Sequence, residues 1–264
     1  MKSSDRSRLL LDCSFLSLPE YRKWLEDAIQ GSALHHIVTL NAEMVLEAQK
    51  NSAFQNAVLR AELKIPDGSS IVWAKEYLDH FSPPHMRGSE RGFRPAYVAV
   101  SLFKFFFSKQ QTLTGVDTIF DICNVLAKTQ GTVYLLGGEE ADRAKTSEVL
   151  RKKYPNLRIT LLSDNEAIET LKARNSALLV AYGSPKQTLW IEQHRDALES
   201  AGICIAVGIG GAFAMISGRL PRAPKFFRAH HLEWLWRLLL EPTRIQRIWS
   251  AAVLFPRFIS GYPH

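Results

Sequence analysis

Residues 178–195 read LLVAYGSPKQTLWIEQHR. The apolar start predicts a buried strand, and the second half has the spacing of an amphipathic helix. Between them lies GSPKQ (183–187), which combines a bare backbone, a cation and an amide. A strand, a short turn and a helix in this order are typical of a parallel sheet, whose ligands bind beyond the carboxyl ends of the strands. The stretch therefore predicts both a fold and the sheet edge that carries function.

The same alternation recurs along the chain. Apolar runs predict strands at 35–41, 132–138, 157–162, 176–183 and 203–208. Amphipathic patterns predict helices at 42–62, 139–153, 165–175 and 185–201, and a short strand, a Pro-Asp-Gly turn and a helix are predicted within 63–78. Continuous apolar strands between amphipathic helices favour an α/β fold with a largely parallel, Rossmann-like sheet and helices on both faces.

The formal charge of +7 is concentrated near the C-terminus. From residue 218 onward seven Arg and one Lys are balanced by only two Glu, and Trp and Leu are interleaved with the arginines. We therefore expect an α/β core at 1–217, with an insertion at about 80–112, followed by a basic, amphipathic helical appendage at 218–264. Such an appendage suits a phosphate-bearing ligand, an anionic membrane surface or a nucleic acid.

Several protein classes are disfavoured by the sequence. Cys13, Cys123 and Cys204 are scattered, which argues against a disulfide framework or a zinc site and favours a reducing compartment. No apolar run reaches the roughly 18–20 residues that span a bilayer, so we expect a chain that is soluble or peripherally attached to a membrane. The glycines of GIGG (208–211) lack the third small residue of a dinucleotide fingerprint, so an NAD-binding oxidoreductase is disfavoured.

Functional groups are predicted at the carboxyl ends of the strands. Thr39 and Asn41 follow the first strand, Asp67 lies in the next turn, and glycine pairs occur at 137–138 and 210–211. Paired glycines before a helix expose backbone N–H groups and the positive end of the helix dipole, which suit a phosphate. Asp67 is the only carboxylate among these turns, and it either acts as a general base or caps the helix that follows it.

These strand ends and the appendage together resemble a known family. The resemblance is carried by blocks that occur in the family's order: TLNAE (39–43), PDG (66–68), YLLGG (134–138), YPNLRI (154–159), GSPKQTLWI (183–191), VGIGGAF (207–213), GRLPRAP (218–224) and LEWLWRLLLEPTRIQR (232–247). They are similar to the WecG/TagA/CpsF-type glycosyltransferases, glycosyltransferase family 26, over roughly residues 30–250. That family builds bacterial surface polysaccharides and teichoic-acid linkage units on a polyprenol carrier.

The resemblance implies an inverting, metal-independent glycosyltransferase without a cofactor. It would move a hexose-type sugar from a nucleoside diphosphate, usually UDP, to a hydroxyl of a polyprenyl-diphosphate-linked saccharide in exopolysaccharide or cell-surface polysaccharide biosynthesis. The implied catalytic residues are Asp67 as the base, Gln187 at the sugar, and Thr39 and Asn41 beside them. No metal ligands are implied.

The resemblance also implies where the donor binds. It assigns Gly137 and Gly138 to a nucleotide-binding loop and the arginines of the appendage to the diphosphate. Combined with the argument from strand ends, the predicted substrate-binding residues are Gly137, Gly138, Gly183, Lys186, Gly210, Gly211, Arg222, Arg237, Arg244 and Arg247. In this reading GSPKQ (183–187) would face a sugar diphosphate.

The sequence departs from the family pattern near the predicted sugar pocket. Thr112 stands where an arginine is usual, Thr188 where a glutamate is usual, and Ala214 where an aspartate is usual. These differences leave open a donor sugar other than N-acetylmannosamine. The insertion at about 80–112 either closes over the site as a lid or contacts the membrane as a hairpin. Arg87, Arg91 and Arg94 of this insertion are candidates to replace the arginine that is missing at Thr112.

The implied partners are a UDP-sugar donor, a polyprenyl-diphosphate-linked saccharide acceptor and a membrane surface, with a homo-oligomer left open. The implied location is the cytoplasmic face of the inner membrane, with peripheral attachment. A nucleic-acid-binding module that uses the basic C-terminal part is the alternative from another class. The sequence contains no recognised nucleic-acid motif, so the leading interpretation has no nucleic acid as a partner.

Overall fold

The computed structural model describes residues 9–10, 12–81, 115–163, 168, 171, 174–224, 226–227 and 232–260. Its strands are β1 (His35–Leu40), β2 (Leu63–Pro66), β3 (Thr132–Gly137), β4 (Arg158–Leu162), β5 (Ser176–Ala181) and β6 (Ile203–Gly208). Its helices up to β6 are α1 (Leu18–Gln30), α2 (Ala42–Ala48), α3 (Ser52–Arg60), α4 (Ser69–Phe81), α5 (Gly115–Lys128), α6 (Glu140–Lys153), α7 (Lys186–Gln193) and α8 (Arg195–Ser200). Beyond β6 lie α9 (Ala212–Ile216), α10 (Glu233–Leu240), α11 (Ile245–Trp249) and α12 (Phe255–Ile259).

The six strands form one sheet in the order β2-β1-β6-β5-β3-β4, and every neighbouring pair is parallel. The sheet confirms the predicted α/β class. In the central pairings Gly208 is opposite both Val38 of β1 and Val180 of β5. Because all strands run in the same direction, their carboxyl ends meet at one edge, and the loops that follow them are neighbours.

Both faces of the sheet are covered by helices, because side chains alternate between the faces along each strand. Along β5, Ala177, Leu179 and Ala181 pack into one apolar cluster, whereas Leu178 and Val180 pack into another. The first face is covered by α1, α5, α6 and α9. The opposite face is covered by α2, α3, α4 and α12 at one end and by α7 and α8 at the other. Every residue of β1 beyond His35, and all of β5 and β6, is buried.

Two helices predicted as continuous are divided in the structure. The pattern at 42–62 predicts one helix, but α2 ends at Ala48 and α3 begins at Ser52. The side chain of Asn51 accepts a hydrogen bond from the backbone N–H of Phe54 at 3.0 Å, and this cap starts a new helix. The helix predicted at 185–201 is divided at His194, whose ring nitrogen Nδ1 lies 2.8 Å from the carbonyl oxygen of Trp190.

The described C-terminal part confirms the predicted helical character of the appendage. We call residues 232–260 the C-terminal segment; it contains α10, a 3₁₀ turn (Pro242–Arg244), α11, a π-helical turn (Ser250–Leu254) and α12. Phe255 and Phe258 are buried, and they share an apolar cluster with Leu10 and Trp73 of the core. Burial of these two rings fastens the end of the segment beside α2 and α4. The division of the chain at residue 217 stays a prediction.

Some sequence predictions fall on residues that the structure does not describe. Most of the insertion at about 80–112 lies outside the described residues, including Thr112, Arg87, Arg91 and Arg94, and so does most of the helix predicted at 165–175. Within the described chain, Cys13, Cys123 and Cys204 are free and buried. None of the helices in the described chain is both long enough and apolar enough to cross a bilayer.

Candidate active site

A cavity of about 480 Å³ opens at the carboxyl edge of the sheet, beneath the C-terminal segment. Its floor is made by the residues that follow β1, β2, β5 and β6. Its wall is made by α10, α11 and the turns on either side of α11. The charged residues that line it are Glu43, Asp67, Glu233, Arg237, Arg244 and Arg247. Two parts of the chain that are far apart in sequence therefore build one site.

Most of the predicted site residues lie in this cavity. All four predicted catalytic residues line it: Thr39, Asn41, Asp67 and Gln187. Six of the ten predicted substrate-binding residues line it as well: Gly183, Gly210, Gly211, Arg237, Arg244 and Arg247. The structure thus brings the strand ends and the three arginines together in one cavity.

Four predicted residues lie outside the lining that the described residues form: Gly137, Gly138, Lys186 and Arg222. Gly137 and Gly138 follow β3, and both have positive φ values, of 75° and 71°. The ring of Tyr182 lies so close that a side chain added at Gly137 would come within 2.7 Å of it. Lys186 is exposed at the start of α7. The guanidinium of Arg222 is paired with Asp117 at 2.7 Å.

Gln187 connects two of the loops that form the floor. Its side-chain oxygen Oε1 accepts hydrogen bonds from the backbone N–H of Gly183 at 3.1 Å and of Gly210 at 3.0 Å. The side chain is 95% shielded from solvent and passes directly over Gly208, where an added Cβ would lie 2.5 Å from Nε2. A larger residue at position 208 would force the Gln187 side chain to move. The Gln187 oxygen is therefore occupied by backbone donors of the protein itself.

Thr39 and Asn41 also have structural contacts in addition to their places in the lining. The Thr39 hydroxyl donates to the carbonyl oxygen of Gly208 at 3.4 Å. The Asn41 oxygen Oδ1 caps α2 by accepting from the backbone N–H of Met44 at 3.0 Å. A capping Asn uses only its oxygen, so the side-chain NH₂ group of Asn41 stays available as a donor toward the cavity.

Asp67 has the properties of a proton acceptor. Its backbone N–H donates to the carbonyl oxygen of Leu40 at 2.8 Å, which fixes the turn after β2 beside the end of β1. Burial raises the pKa of the Asp67 carboxyl from its ordinary 3.8 to about 6, against the opposing effect of Arg237 and Arg247. Among the residues that the structure describes, none donates a hydrogen bond to this carboxylate. The helix-capping alternative is therefore not seen, and the carboxylate is free to accept a proton.

The three arginines of the cavity differ in how they are held. Arg247 is paired with Glu43 of α2, and Arg244 with Glu241 at 2.6 Å. Arg237 has no carboxylate within ion-pair distance among the described residues, and its closest polar contact is the sulfur of Met215 at 3.8 Å. Burial, and then the neighbouring Arg244, lower the pKa of Arg237. A partly buried cation without a carboxylate partner favours binding of an anion.

Other functional candidates were not found by sequence reasoning. Glu43 and Glu233 add two carboxylates to the lining, and Trp73 and Trp234 add two aromatic rings. Glu43 lies within the block TLNAE (39–43), two positions after Asn41, and this proximity was the available signal. Glu233 is one helical turn before Arg237. The described residues contain no group of three or more His, Cys, Asp or Glu side chains placed to hold a metal ion.

Comparisons with known proteins show which family the chain belongs to. A protein of Bacillus spizizenii named N-acetylglucosaminyldiphosphoundecaprenol N-acetyl-beta-D-mannosaminyltransferase is 28% identical over 240 residues, which cover 86% of this chain and 82% of that protein. The model of the WecG/TagA/CpsF family of glycosyl transferases matches residues 8–91 and 96–261. Of the two functional classes that the sequence left open, the enzyme is confirmed, and the chain belongs to the WecG/TagA/CpsF family of glycosyl transferases.

Proposed function

We propose that this glycosyltransferase moves an N-acetylated hexosamine from a UDP-sugar to a sugar linked to a polyprenyl diphosphate, with inversion at the anomeric carbon. The acceptor and the N-acetylated sugar are taken from the name of the Bacillus relative. That name also specifies a β-mannosaminyl group, which transfer from an α-linked nucleotide sugar would produce by inversion. The product would enter bacterial cell-surface polysaccharide biosynthesis.

One observation carries the proposal: a single cavity contains a carboxylate that accepts no hydrogen bond from the described residues, Asp67, together with three guanidinium groups. Asp67 would take the proton of the acceptor hydroxyl as its oxygen forms a bond to C1 of the donor sugar. The bond between C1 and the diphosphate oxygen breaks in the same step. The electron pair leaves with UDP, whose additional negative charge Arg237, Arg244 and Arg247 would stabilise.

The proposed reaction needs no divalent metal, because the three arginines supply the positive charge that a metal would otherwise bring to the leaving diphosphate. At neutral pH a carboxyl with a pKa of about 6 is mostly ionised, yet it is basic enough to receive a proton in the transition state. The same pKa predicts that kcat/KM falls tenfold for each pH unit below about 6.

The acceptor is membrane-bound in this proposal, and the C-terminal segment has a surface that suits a bilayer. Leu239 is 65% exposed, Ile245 56% and Trp249 60%. Apolar and aromatic side chains next to basic residues bind the interface of an anionic membrane. We infer peripheral attachment through this segment at the cytoplasmic face, where nucleotide sugars are available.

The experiment combines the purified chain, a polyprenyl-diphosphate-linked N-acetylglucosamine and a panel of UDP-sugars, and it measures release of UDP. We expect release with a UDP-N-acetylhexosamine, dependence on the acceptor, an unchanged rate in EDTA and a β-linked product by NMR. An α-linked product would contradict inversion, and a rate that EDTA abolishes would contradict the charge assignment. If a folded, membrane-bound enzyme releases no UDP from any donor, the proposed substrates are wrong.

A further inference from the structure

The ion pair between Arg247 and Glu43 joins the C-terminal segment to the core across 204 positions of sequence. The Arg247 Nε lies 2.9 Å from Oε1 and 2.8 Å from Oε2, and Nη2 lies 2.6 Å from Oε2. Hydrogen bonding to Glu43 raises the pKa of Arg247 further. Both side chains line the cavity. A carboxylate that engages one edge of a guanidinium by two nitrogens fixes its plane as well as its position.

Glu43 is attached to a rigid part of the core. It is the second residue of α2, whose N-cap is Asn41. Met44 and Val45 of the same helix belong to the apolar cluster that contains Val38 of β1 and Ile71 of α4. The pair formed by Arg244 is different, because its partner Glu241 belongs to the same C-terminal segment. Of the three arginines that line the cavity, Arg247 is thus the one whose carboxylate partner belongs to the core.

The contact leaves most of the guanidinium free for a ligand. Arginine has five N–H groups, and the Glu43 carboxylate engages Nε and one side of Nη2. The remaining N–H groups, on Nη1 and the other side of Nη2, stay available for an anion. The Arg247 side chain is 52% exposed and would move among several rotamers without this contact. Holding it in one orientation lowers the entropy lost when a diphosphate binds.

We propose that Glu43 is a positioning residue for the nucleotide sugar. It orders Arg247 so that the diphosphate meets hydrogen-bond donors that are already in place. The inference rests on the proposed function, because it assumes that a nucleoside diphosphate binds in the cavity. A pure charge effect has the opposite sign, since loss of a carboxylate removes repulsion of an anion. The two explanations therefore predict opposite changes in affinity when Glu43 is replaced.

The test measures binding of UDP and of uridine by isothermal titration calorimetry. We expect Glu43→Ala to weaken the binding of UDP about 3- to 10-fold and Arg247→Ala to weaken it about 10- to 30-fold. Uridine lacks the diphosphate, so its affinity should not change in either variant. Glu43→Gln keeps one acceptor oxygen, so its affinity for UDP should lie between those of the wild type and Glu43→Ala.

A double-mutant cycle separates positioning from general damage to the fold. If Glu43 acts through Arg247, the double variant Glu43→Ala/Arg247→Ala binds UDP no more weakly than Arg247→Ala alone. Full additivity, or an equal loss of uridine affinity, would show a structural role instead. Glu47→Ala removes the same charge one turn later on α2, outside the cavity lining of the described residues, and should bind UDP like the wild type.

The outcomes distinguish this inference from the proposed function. If the wild type binds neither UDP nor uridine, the proposed donor is wrong. If the wild type binds UDP and Arg247→Ala weakens it while Glu43→Ala binds as well or better, the donor site stands and the role of Glu43 is refuted. Thermal unfolding of each variant checks that the fold is intact.

Discussion

The two edges of the sheet both collect charged side chains, but they use them differently. At the amino edge, Arg195 contacts Glu62 at 3.0 Å and Glu192 at 3.1 Å, and Glu192 also contacts Arg60 at 2.9 Å. Glu62 additionally accepts a hydrogen bond from the backbone N–H of His36 at 2.7 Å. At this edge each carboxylate has a cationic partner, and the charges compensate one another.

At the carboxyl edge the compensation is incomplete. Asp67 accepts no hydrogen bond from the described residues, and Arg237 has no carboxylate within ion-pair distance among them. Burial therefore raises the pKa of Asp67 and lowers that of Arg237, so both groups are less stable in their charged forms. Charged groups left without close partners in a cavity are typical of ligand sites, whereas closed networks stabilise the fold. The difference supports the proposal that the ligand binds at the carboxyl edge.

The largest effect should follow from replacing the free carboxylate. Asp67→Asn removes the proton acceptor while it keeps the shape of the side chain, and we expect kcat to fall about 10³-fold. The affinity for UDP should be retained or increased, because a negative charge leaves the cavity. Steady-state release of UDP and calorimetry measure the two quantities.

The matched control at the other edge is Glu62→Gln, which also exchanges a carboxylate for an amide. It should leave kcat unchanged at a temperature where the protein is folded. A loss of turnover as large as that of Asp67→Asn would mean that the two edges are not functionally distinct.

The next effect concerns the cation without a carboxylate partner. Arg237→Ala should lower kcat/KM about 10²-fold, because in the proposed mechanism this partly buried guanidinium stabilises the charge of the leaving diphosphate. Arg60→Ala is the control, since its side chain is 66% exposed and it pairs with Glu192 away from the cavity. Equal activities of the two variants would remove Arg237 from the diphosphate site.

A smaller effect, on stability alone, is expected at the amino edge. Arg195→Ala leaves Glu62 and Glu192 without their shared partner, and the Arg195 side chain is only 15% exposed. The free energy of unfolding should fall by about 2 kcal/mol in urea denaturation. The UDP affinity of the folded variant should equal that of the wild type, and a weaker affinity would contradict the separation of the edges.

The smallest effect is a gain in stability from Asp67→Asn. The pKa of Asp67 is raised in the folded state, so folding is favoured while the carboxyl is protonated and becomes less favourable as pH rises from about 4 to about 6. The free energy of unfolding of the variant should therefore exceed that of the wild type by about 1–2 kcal/mol above pH 6. The difference should grow as the pH rises from about 4 to about 6. Urea denaturation from pH 4 to pH 8 measures it. A difference that does not change with pH would mean that the pKa is not raised.

Much of the fold follows from local patterns in the sequence. The apolar runs that predict strands at 35–41, 132–138, 157–162, 176–183 and 203–208 each overlap a strand of the structure. The divisions of the helices at Asn51 and His194 were not predicted. A capping asparagine within an amphipathic pattern competes with continuation of the helix, and periodicity does not decide that competition.

The sequence predicted which residues line the cavity better than it predicted the contacts that they make. Asp67 and the three arginines were selected by turn chemistry and by resemblance, and the structure brings them into one cavity. Gly137 and Gly138 have the positive φ values that their turn requires, yet they lie outside the cavity lining of the described residues. A glycine pair indicates backbone geometry, whereas which ligand it faces depends on how the neighbouring loops pack.

The sequence by itself determined the order of the strands along the chain, the glycine turns and the basic C-terminal segment. These features depend on side-chain periodicity and backbone preferences that act over a few residues. Only the tertiary structure decided that Glu43 pairs with Arg247 and that Asp67, partly buried, lines the same cavity as Arg237. Such pairings join residues more than a hundred positions apart, and their electrostatic effect depends on solvent exclusion, which exists only once the chain has packed.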